Sequence, residues 1–381
     1  PVRNFPAGTT TRPPPAEWQA AMALWMAALH IFLPSPTAPY RVISKSRAGN
    51  RTAVTESAVR RSQSRRVMCG YDKLYRLGRI ELMTNLLETV TEELQAAQFI
   101  DMHTHLFRPS LGTLGLWGID ELLTYHYLEA ELFRSSDITP ERYFSLSKKE
   151  KADAIWKALF VDHLPVSEAT RGVVAVLQAF GLPTESKDLR QARKFFGAQK
   201  IESHIKNVMQ LAGISEVVMT NDPLDPAEEP LWKKSTPHKA FHAVLRLDRI
   251  WKKWTEHWRV LEQAGYKVEQ YLSPKGVREV RRFLDDWVKR MQPIYMAVSL
   301  PDTFQYPEES TRAQLLREVV LPACRDLKIP LSTMIGVRYQ VNPAIKLAGD
   351  AVGKADLRAL ENLARNFPAN RFLVSVLSRE N

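Results

Sequence analysis

Residues 99–107 read Phe-Ile-Asp-Met-His-Thr-His-Leu-Phe, a short apolar run that carries His103 and His105 at its end. Side chains two positions apart on a strand point to the same side, so both imidazoles converge as the strand ends. Neutral imidazole is a common ligand for zinc and similar divalent ions, and two rings supply half of a tetrahedral shell. The pattern predicts a metal site, and the alternative is two exposed histidines in a loop.

Strand-like segments recur along the chain after this run. The expected strands are 99–102, 216–220, 241–245, 294–299, 330–335 and 371–377, and the expected helices between the later strands are 250–264, 275–291, 311–327 and 354–366. This alternation predicts an α/β chain with parallel strands, and the metal-like strand end favours a TIM-barrel-like (β/α)8 fold of the metal-dependent hydrolase type. A closed barrel needs eight strands, so the sequence predicts either an open sheet or a barrel without its last two strands.

The segment after the first strand has a different pattern. Residues 111–210 contain almost no strand signal, and amphipathic helices are expected at 119–134, 148–160, 166–180, 187–195 and 198–211. We therefore expect a helical insertion of about 111–210 inside a domain that spans 83–381. A helix over 84–97, opened by Thr84, is expected to precede the first strand.

Residues 1–82 differ in composition from the remainder. They hold 13 Lys/Arg and 4 Asp/Glu, a net charge of +9, which leaves +2 of the total of +11 for the other residues. Proline runs and a Ser/Arg stretch predict a disordered basic extension, with a natural start at Met68 or Met83. Because the basic charge belongs to this extension, nucleic-acid binding by the domain is not expected.

Two further properties limit the class of protein. Cys69 and Cys324 are far apart in sequence and indicate no disulfide framework, so a cytoplasmic protein is expected. The apolar run at 20–33 is too short to span a bilayer, and no membrane association is expected. The sequence leaves open whether the chain forms a homo-oligomer.

Phe-Ile-Asp-Met-His-Thr-His resembles the first-strand motif of the amidohydrolase superfamily, and later segments narrow the resemblance to the uronate isomerases. These segments are His126-Tyr127 followed by Arg134, Val217–Pro223, Arg246–Arg249 and Ile335-Gly336. The resemblance covers residues 83–381. Its specificity comes from the order of these motifs along the chain more than from any one motif. It implies a metal-dependent isomerase that interconverts an aldose-type uronate, such as glucuronate, and its keto isomer in sugar-acid catabolism.

The resemblance also implies roles for individual residues. His103 and His105 would bind a divalent metal, usually zinc, while His126 and Tyr127 would line the site near the sugar. Arg246 could pair with the carboxylate of the small-molecule sugar acid. Asp222 would belong to the catalytic set, although an Asp before Pro223 is also a common turn at a strand end.

The sequence departs from the family pattern at several points. Met334 stands where the family has a histidine, and Asn221 replaces the first Asp of a pair. The family's last strand carries an Asp that completes the metal shell, and this strand is not found before Asn381. The 381-residue chain is therefore expected to be truncated, and its activity is open.

Two other functional classes stay open on the residues alone. One is a metal-dependent hydrolase or decarboxylase on the same barrel, and the other is a non-catalytic relative. Trp251, Trp254 and Trp258 fall at helical spacing beside Lys252, Lys253 and His257, which predicts a core-facing row with a solvated basic edge.

Overall fold

The computed structural model describes residues 86, 88–94, 96–115, 117–252 and 254–381. The chain divides into two units, one of residues 34–97 and one that contains every described residue from Gln98 onward. In the first unit, residues 86, 88–94 and 96 are helical, in agreement with the predicted helix. The predictions for residues 1–82, for the start of the domain and for Thr84 lie outside the described residues.

The strands of the second unit follow the predicted order. They are β1 (Phe99–Thr104), β2 (Ile214–Met219), β3 (Phe241–His242), β4 (Leu245–Arg246), β5 (Met296–Pro301), β6 (Leu331–Arg338), β7 (Ala351–Val352) and β8 (Phe372–Val376). β1, β2 and β3 pair in parallel, as do β4, β5, β6 and β8, and a parallel bridge between Asn221 and Leu245 connects β2 to β4. The strand predicted over 241–245 is thus two short strands.

The short strand β7 was not predicted. It pairs antiparallel with the end of β6, where Gly336 has a φ of 112° and a Cβ would lie 2.9 Å from the Gly353 carbonyl oxygen. Only glycine meets both requirements without strain. Gly336, part of the motif that resembles the family, therefore lets the chain after β6 return against the strand.

The helices lie where the alternation predicts them, with one addition, and the helix predicted over 119–134 is found as two helices separated by Thr124 and Tyr125. The helices are α1 (Ile119–Leu123), α2 (His126–Ser135), α3 (Pro140–Ser145), α4 (Lys148–Trp156), α5 (Glu168–Ala179), α6 (Arg190–Gly197), α7 (Ile201–Ala212), α8 (Asp248–Lys252), α9 (Trp254–Gln263), α10 (Pro274–Met291), α11 (Thr311–Leu315), α12 (Leu321–Leu327) and α13 (Arg358–Asn366). The addition is α3, where Pro140 occupies the first turn and Thr139 accepts a hydrogen bond from the Arg142 amide. The helical insertion is confirmed.

Two large apolar cores and one small cluster, formed by Val218, Val244 and Tyr295, lie among the described residues. The larger core lies between the strands and the helices that follow them, and it includes Trp251, Trp254, Phe283 and Phe304. The second core lies within the insertion and is centred on Tyr143, which is fully buried. Among the described residues, no helix has the length and apolar character that crossing a membrane requires.

Candidate active site

His103 and His105 lie at the C-terminal end of β1, where their rings approach edge to face with centroids 6.1 Å apart. Burial lowers the pKa of His103 to about 3 and that of His105 well below its ordinary value. Both rings are therefore neutral at pH 7, which is the form that binds a metal ion.

Thr220, which directly follows β2, sets the orientation of His105. Its hydroxyl donates to the carbonyl oxygen of Thr104 at 3.0 Å, and the same oxygen lies 3.2 Å from His105 Nδ1. Because the hydroxyl proton is used on Thr104, the oxygen accepts a hydrogen bond from Nδ1–H. This contact assigns the second ring nitrogen, Nε2, as the one that carries the lone pair.

An aromatic row connects these histidines to the start of α2. The ring of Tyr125 lies 5.5 Å from His105 and 4.3 Å from His126, and the rings of His126 and Tyr127 are 4.2 Å apart. Burial lowers the pKa of His126 to about 4 and raises that of Tyr127. At neutral pH, His126 can therefore accept a proton and Tyr127 can donate one.

Arg246 ends β4 and is held by Asp248, the first residue of α8. Its Nε and Nη2 donate to Asp248 Oδ2 at 3.2 and 2.5 Å. Burial alone would lower the pKa of Arg246, but the Asp248 carboxylate raises it above its ordinary value. The guanidinium is thus a fixed, permanently charged group.

Asp222 also lies at this edge of the sheet, after β2. Its Oδ2 accepts a hydrogen bond from Arg249 Nε at 2.8 Å, and its Oδ1 accepts one from the Leu224 amide at 3.0 Å. Burial raises the pKa of Asp222, while the Leu224 amide and Arg249 oppose that rise. Asp222 therefore occupies an Asx-type turn and an ion pair at the same time.

A cavity of about 360 Å³ brings several of these groups together. Three residues predicted from the sequence, His105, Asp222 and Arg246, line it together with Thr220, Asp225, Asp248, Arg249, Lys252, His257 and Leu347. His103, His126 and Tyr127 connect to this lining through the ring contacts of His105 and Tyr125. The strand ends thus converge as a parallel β/α fold requires.

The donor set fits a metal ion only in part. Two neutral imidazoles come from β1, and within the described ranges no group of three or more His, Cys, Asp or Glu side chains is placed to hold a metal. The remaining positions of a tetrahedral shell would have to be filled by other oxygen atoms, such as those of water or substrate.

Sequence reasoning missed three residues of this site. Tyr125, Asp248 and Lys252 were not predicted as functional, and Lys252 and His257 were assigned to a solvated edge although both line the cavity. The core-facing position of Trp251 and Trp254 is confirmed, since both are nearly fully buried. Two signals were available, the i, i+4 spacing of Asp248 and Lys252 and the position of Asp248 within the segment Arg246–Arg249 that resembles the family.

Comparison with solved structures identifies similar proteins. A uronate isomerase from Bacillus halodurans C-125 is 48% identical with a TM-score of 0.71, over 74% of this chain and 67% of that chain. A uronate isomerase from Thermotoga maritima (15% identity, TM-score 0.54, 74% of this chain and 71% of that chain) and a glucuronate isomerase from Caulobacter crescentus (13%, 0.54, 73% and 68%) show the same fold. No family model and no curated protein matches the chain.

The similarity to these solved structures agrees with the position of the candidate site at the carboxyl ends of the strands. The two more distant structures support the fold alone, and with the 48% identical structure included the neighbours indicate an amidohydrolase-like TIM barrel. The similarity at 48% identity covers two thirds of the relative's length. This chain therefore belongs to the uronate isomerase family.

Proposed function

We propose that this chain interconverts an aldose-type uronate, such as glucuronate, and its keto isomer in sugar-acid catabolism. The observation that carries the proposal is the 48% identity to a uronate isomerase. The cavity supports it, because Arg246 offers a guanidinium that can grip a carboxylate bidentately near the histidines of β1.

The reaction moves one proton from C2 to C1 and another from the C2 hydroxyl to the C1 oxygen, through an enediol. Such a step needs a group that accepts and returns a proton and a donor that stabilises the developing oxyanion. We assign the proton acceptor to His126, which is neutral because of its lowered pKa, and the donor to Tyr127. Asp222 is proposed to position a sugar hydroxyl from the opposite part of the cavity.

A divalent metal, with zinc as the first candidate, is proposed to be held by His103 and His105. When bound, the ion would polarise the oxygen atoms at C1 and C2 as a Lewis acid. The neutral state of both rings and the contact between Thr220 and His105 support this assignment. We further propose that the enzyme acts in the cytoplasm on a free sugar acid, without a nucleic-acid partner.

The experiment is to incubate the chain with D-glucuronate in D2O, with and without zinc, and to follow keto-sugar formation and deuterium uptake at C1 of the keto sugar by NMR. Keto-sugar formation is expected for the wild type and its loss for His126→Ala, by about 100-fold or more. His163→Ala is the matched control, because His163 is exposed and lies outside the cavity. Isomerisation that survives both His126→Ala and His103→Ala would contradict the assigned site.

A further inference from the structure

Lys252 is the last residue of α8 and lines the same cavity as Arg246, one helical turn after Asp248. The residue as a whole is exposed, but its side chain is only 24% exposed and is directed along the cavity wall. Its ammonium lies 3.8 Å from Asp248 Oδ1 and 3.5 Å from the centre of the Tyr339 ring. These contacts hold a cation at the cavity without a hydrogen bond to the carboxylate.

Asp248 already accepts hydrogen bonds from Ser299 and Arg246. Ser299 donates its amide to Oδ1 at 2.7 Å and its hydroxyl to Oδ2 at 3.0 Å, and Arg246 donates to Oδ2. One negative charge is shared between two positive groups, which leaves a local excess of one positive charge.

Arg249, Asp222 and Asp225, which also line the cavity, have the reverse charge balance. Arg249 is paired with both Asp222 and Asp225, at 2.8 and 2.6 Å. Two carboxylates share one guanidinium, which leaves an excess of one negative charge. An anionic group that enters the cavity is thus drawn to Arg246 and Lys252 and away from Asp222 and Asp225.

We propose that Lys252 is a second substrate-binding cation, which together with Arg246 holds the carboxylate of the sugar acid. The inference rests on the proposed function for the identity of the anion. In this arrangement Asp248 keeps the two cations in place, and the ring of Tyr339 contacts the Lys252 ammonium. The hydroxyl of Tyr339 donates to the Ser299 carbonyl oxygen at 3.3 Å, which fixes the ring.

The surroundings of Lys252 make binding of the carboxylate depend on pH. Burial lowers the pKa of Lys252 to about 8, since Asp248 only partly offsets burial and Arg246 lowers the pKa further; Asp350 and Asp222 act from a greater distance. A bound carboxylate stabilises the charged amine, so binding is strongest below pH 8 and weakens as the pH rises through this value.

The test uses calorimetric binding of L-gulonate, in which the C1 aldehyde of glucuronate is an alcohol, so that it cannot isomerise. D-Glucitol, in which the carboxylate is also an alcohol, is the matched neutral probe. Lys252→Met is expected to weaken L-gulonate binding about tenfold at pH 7 and to leave D-glucitol binding unchanged. Lys252→Arg is expected to keep the wild-type affinity at pH 7 and also at pH 9, where the wild type loses affinity.

Lys275→Met, on the exposed part of α10, is the control for loss of a cation elsewhere. If the wild type and Lys252→Met bind L-gulonate with equal affinity and equal pH profiles, the inference is overturned. If the methionine variant does not fold, Lys252→Arg takes its place, and a pH profile equal to that of the wild type would overturn the inference. Lysine-dependent L-gulonate binding without glucuronate turnover would support the inference and contradict the proposed reaction. Turnover of glucuronate together with L-gulonate binding that does not depend on Lys252 would support the proposed reaction and contradict the inference.

Discussion

Arg246 and Asp248 lie two residues apart at the junction of β4 and α8, and the guanidinium donates two hydrogen bonds to one carboxylate oxygen of Asp248. Burial would raise the pKa of Asp248, but Arg246 holds it below its ordinary value. Ser299 from β5 supports the same carboxylate, so two adjacent strands fix the direction of the arginine. The catalytic edge of the sheet thus contains a rigid cation before any substrate is bound.

Asp248→Asn is expected to weaken this arrangement in two ways. Removing one partner of a buried ion pair leaves an uncompensated charge, so the free energy of unfolding should fall by about 3 kcal/mol. The arginine should also lose its orientation, which raises KM for glucuronate more than it lowers kcat. Urea unfolding and steady-state kinetics measure both effects. If the pair is coupled, adding Arg246→Met to Asp248→Asn should cost less than the sum of the two single changes.

Thr220→Val is expected to disturb the proposed metal site without touching a ligand. The valine keeps the shape of threonine but cannot accept the hydrogen bond from His105 Nδ1–H. Loss of such an outer contact typically lowers metal affinity by roughly 10- to 100-fold. Equilibrium dialysis with zinc measures the change, and Thr220→Ser, which keeps the hydroxyl, should bind zinc like the wild type. Equal zinc binding by all three proteins would argue against metal binding at His105.

The sequence predicts the strand that carries His103 and His105 because a period of two residues fixes which side chains share a face. It also predicts the helical insertion, where amphipathic spacing is strong. The helix α3 lies in the gap between the helices predicted at 119–134 and 148–160, because Pro140 is typical of a break between helices but is also well tolerated in a first turn. The interruption between β3 and β4 reflects a change of pairing partner, which local sequence does not encode.

Lys252 shows why part of the site was missed. On α8, Lys252 lies beside the core-facing tryptophan row, at a position where a lysine is usually exposed to solvent. Its place at the cavity depends on Tyr339, which lies after β6 and far along the chain. Such a contact arises only when the strand ends converge, so spacing within α8 could not indicate it.

Glu228 is expected to make stability depend on pH. Its carboxylate accepts hydrogen bonds from the Trp232 indole and the Asp222 amide, and burial raises its pKa from 4.5 to about 7. Between these values the folded chain keeps the Glu228 proton that the unfolded chain releases, so the contribution of Glu228 to stability falls as the pH rises from 4.5 to 7 and then levels off, while the lowered pKa values of His103 and His126 act in the opposite direction. The fall is on the order of 3 kcal/mol at most. Urea unfolding across this range should show the Glu228 contribution as a difference in slope between the wild type and Glu228→Gln, and Glu229→Gln should have the wild-type slope.

Val374→Lys is expected to reduce self-association of the chain. Within the part of the chain that the structure describes, β8 pairs with β6 alone, and Val374 on β8 is 49% exposed. An exposed apolar strand with one unpaired edge can add a strand from another copy, and a lysine on that strand opposes this by its charge and hydration. Sedimentation velocity at increasing protein concentration measures the association. Leu164→Lys is the matched control, because Leu164 is 82% exposed but lies in a loop. Equal sedimentation of wild type and Val374→Lys would show that β8 does not mediate contacts between copies.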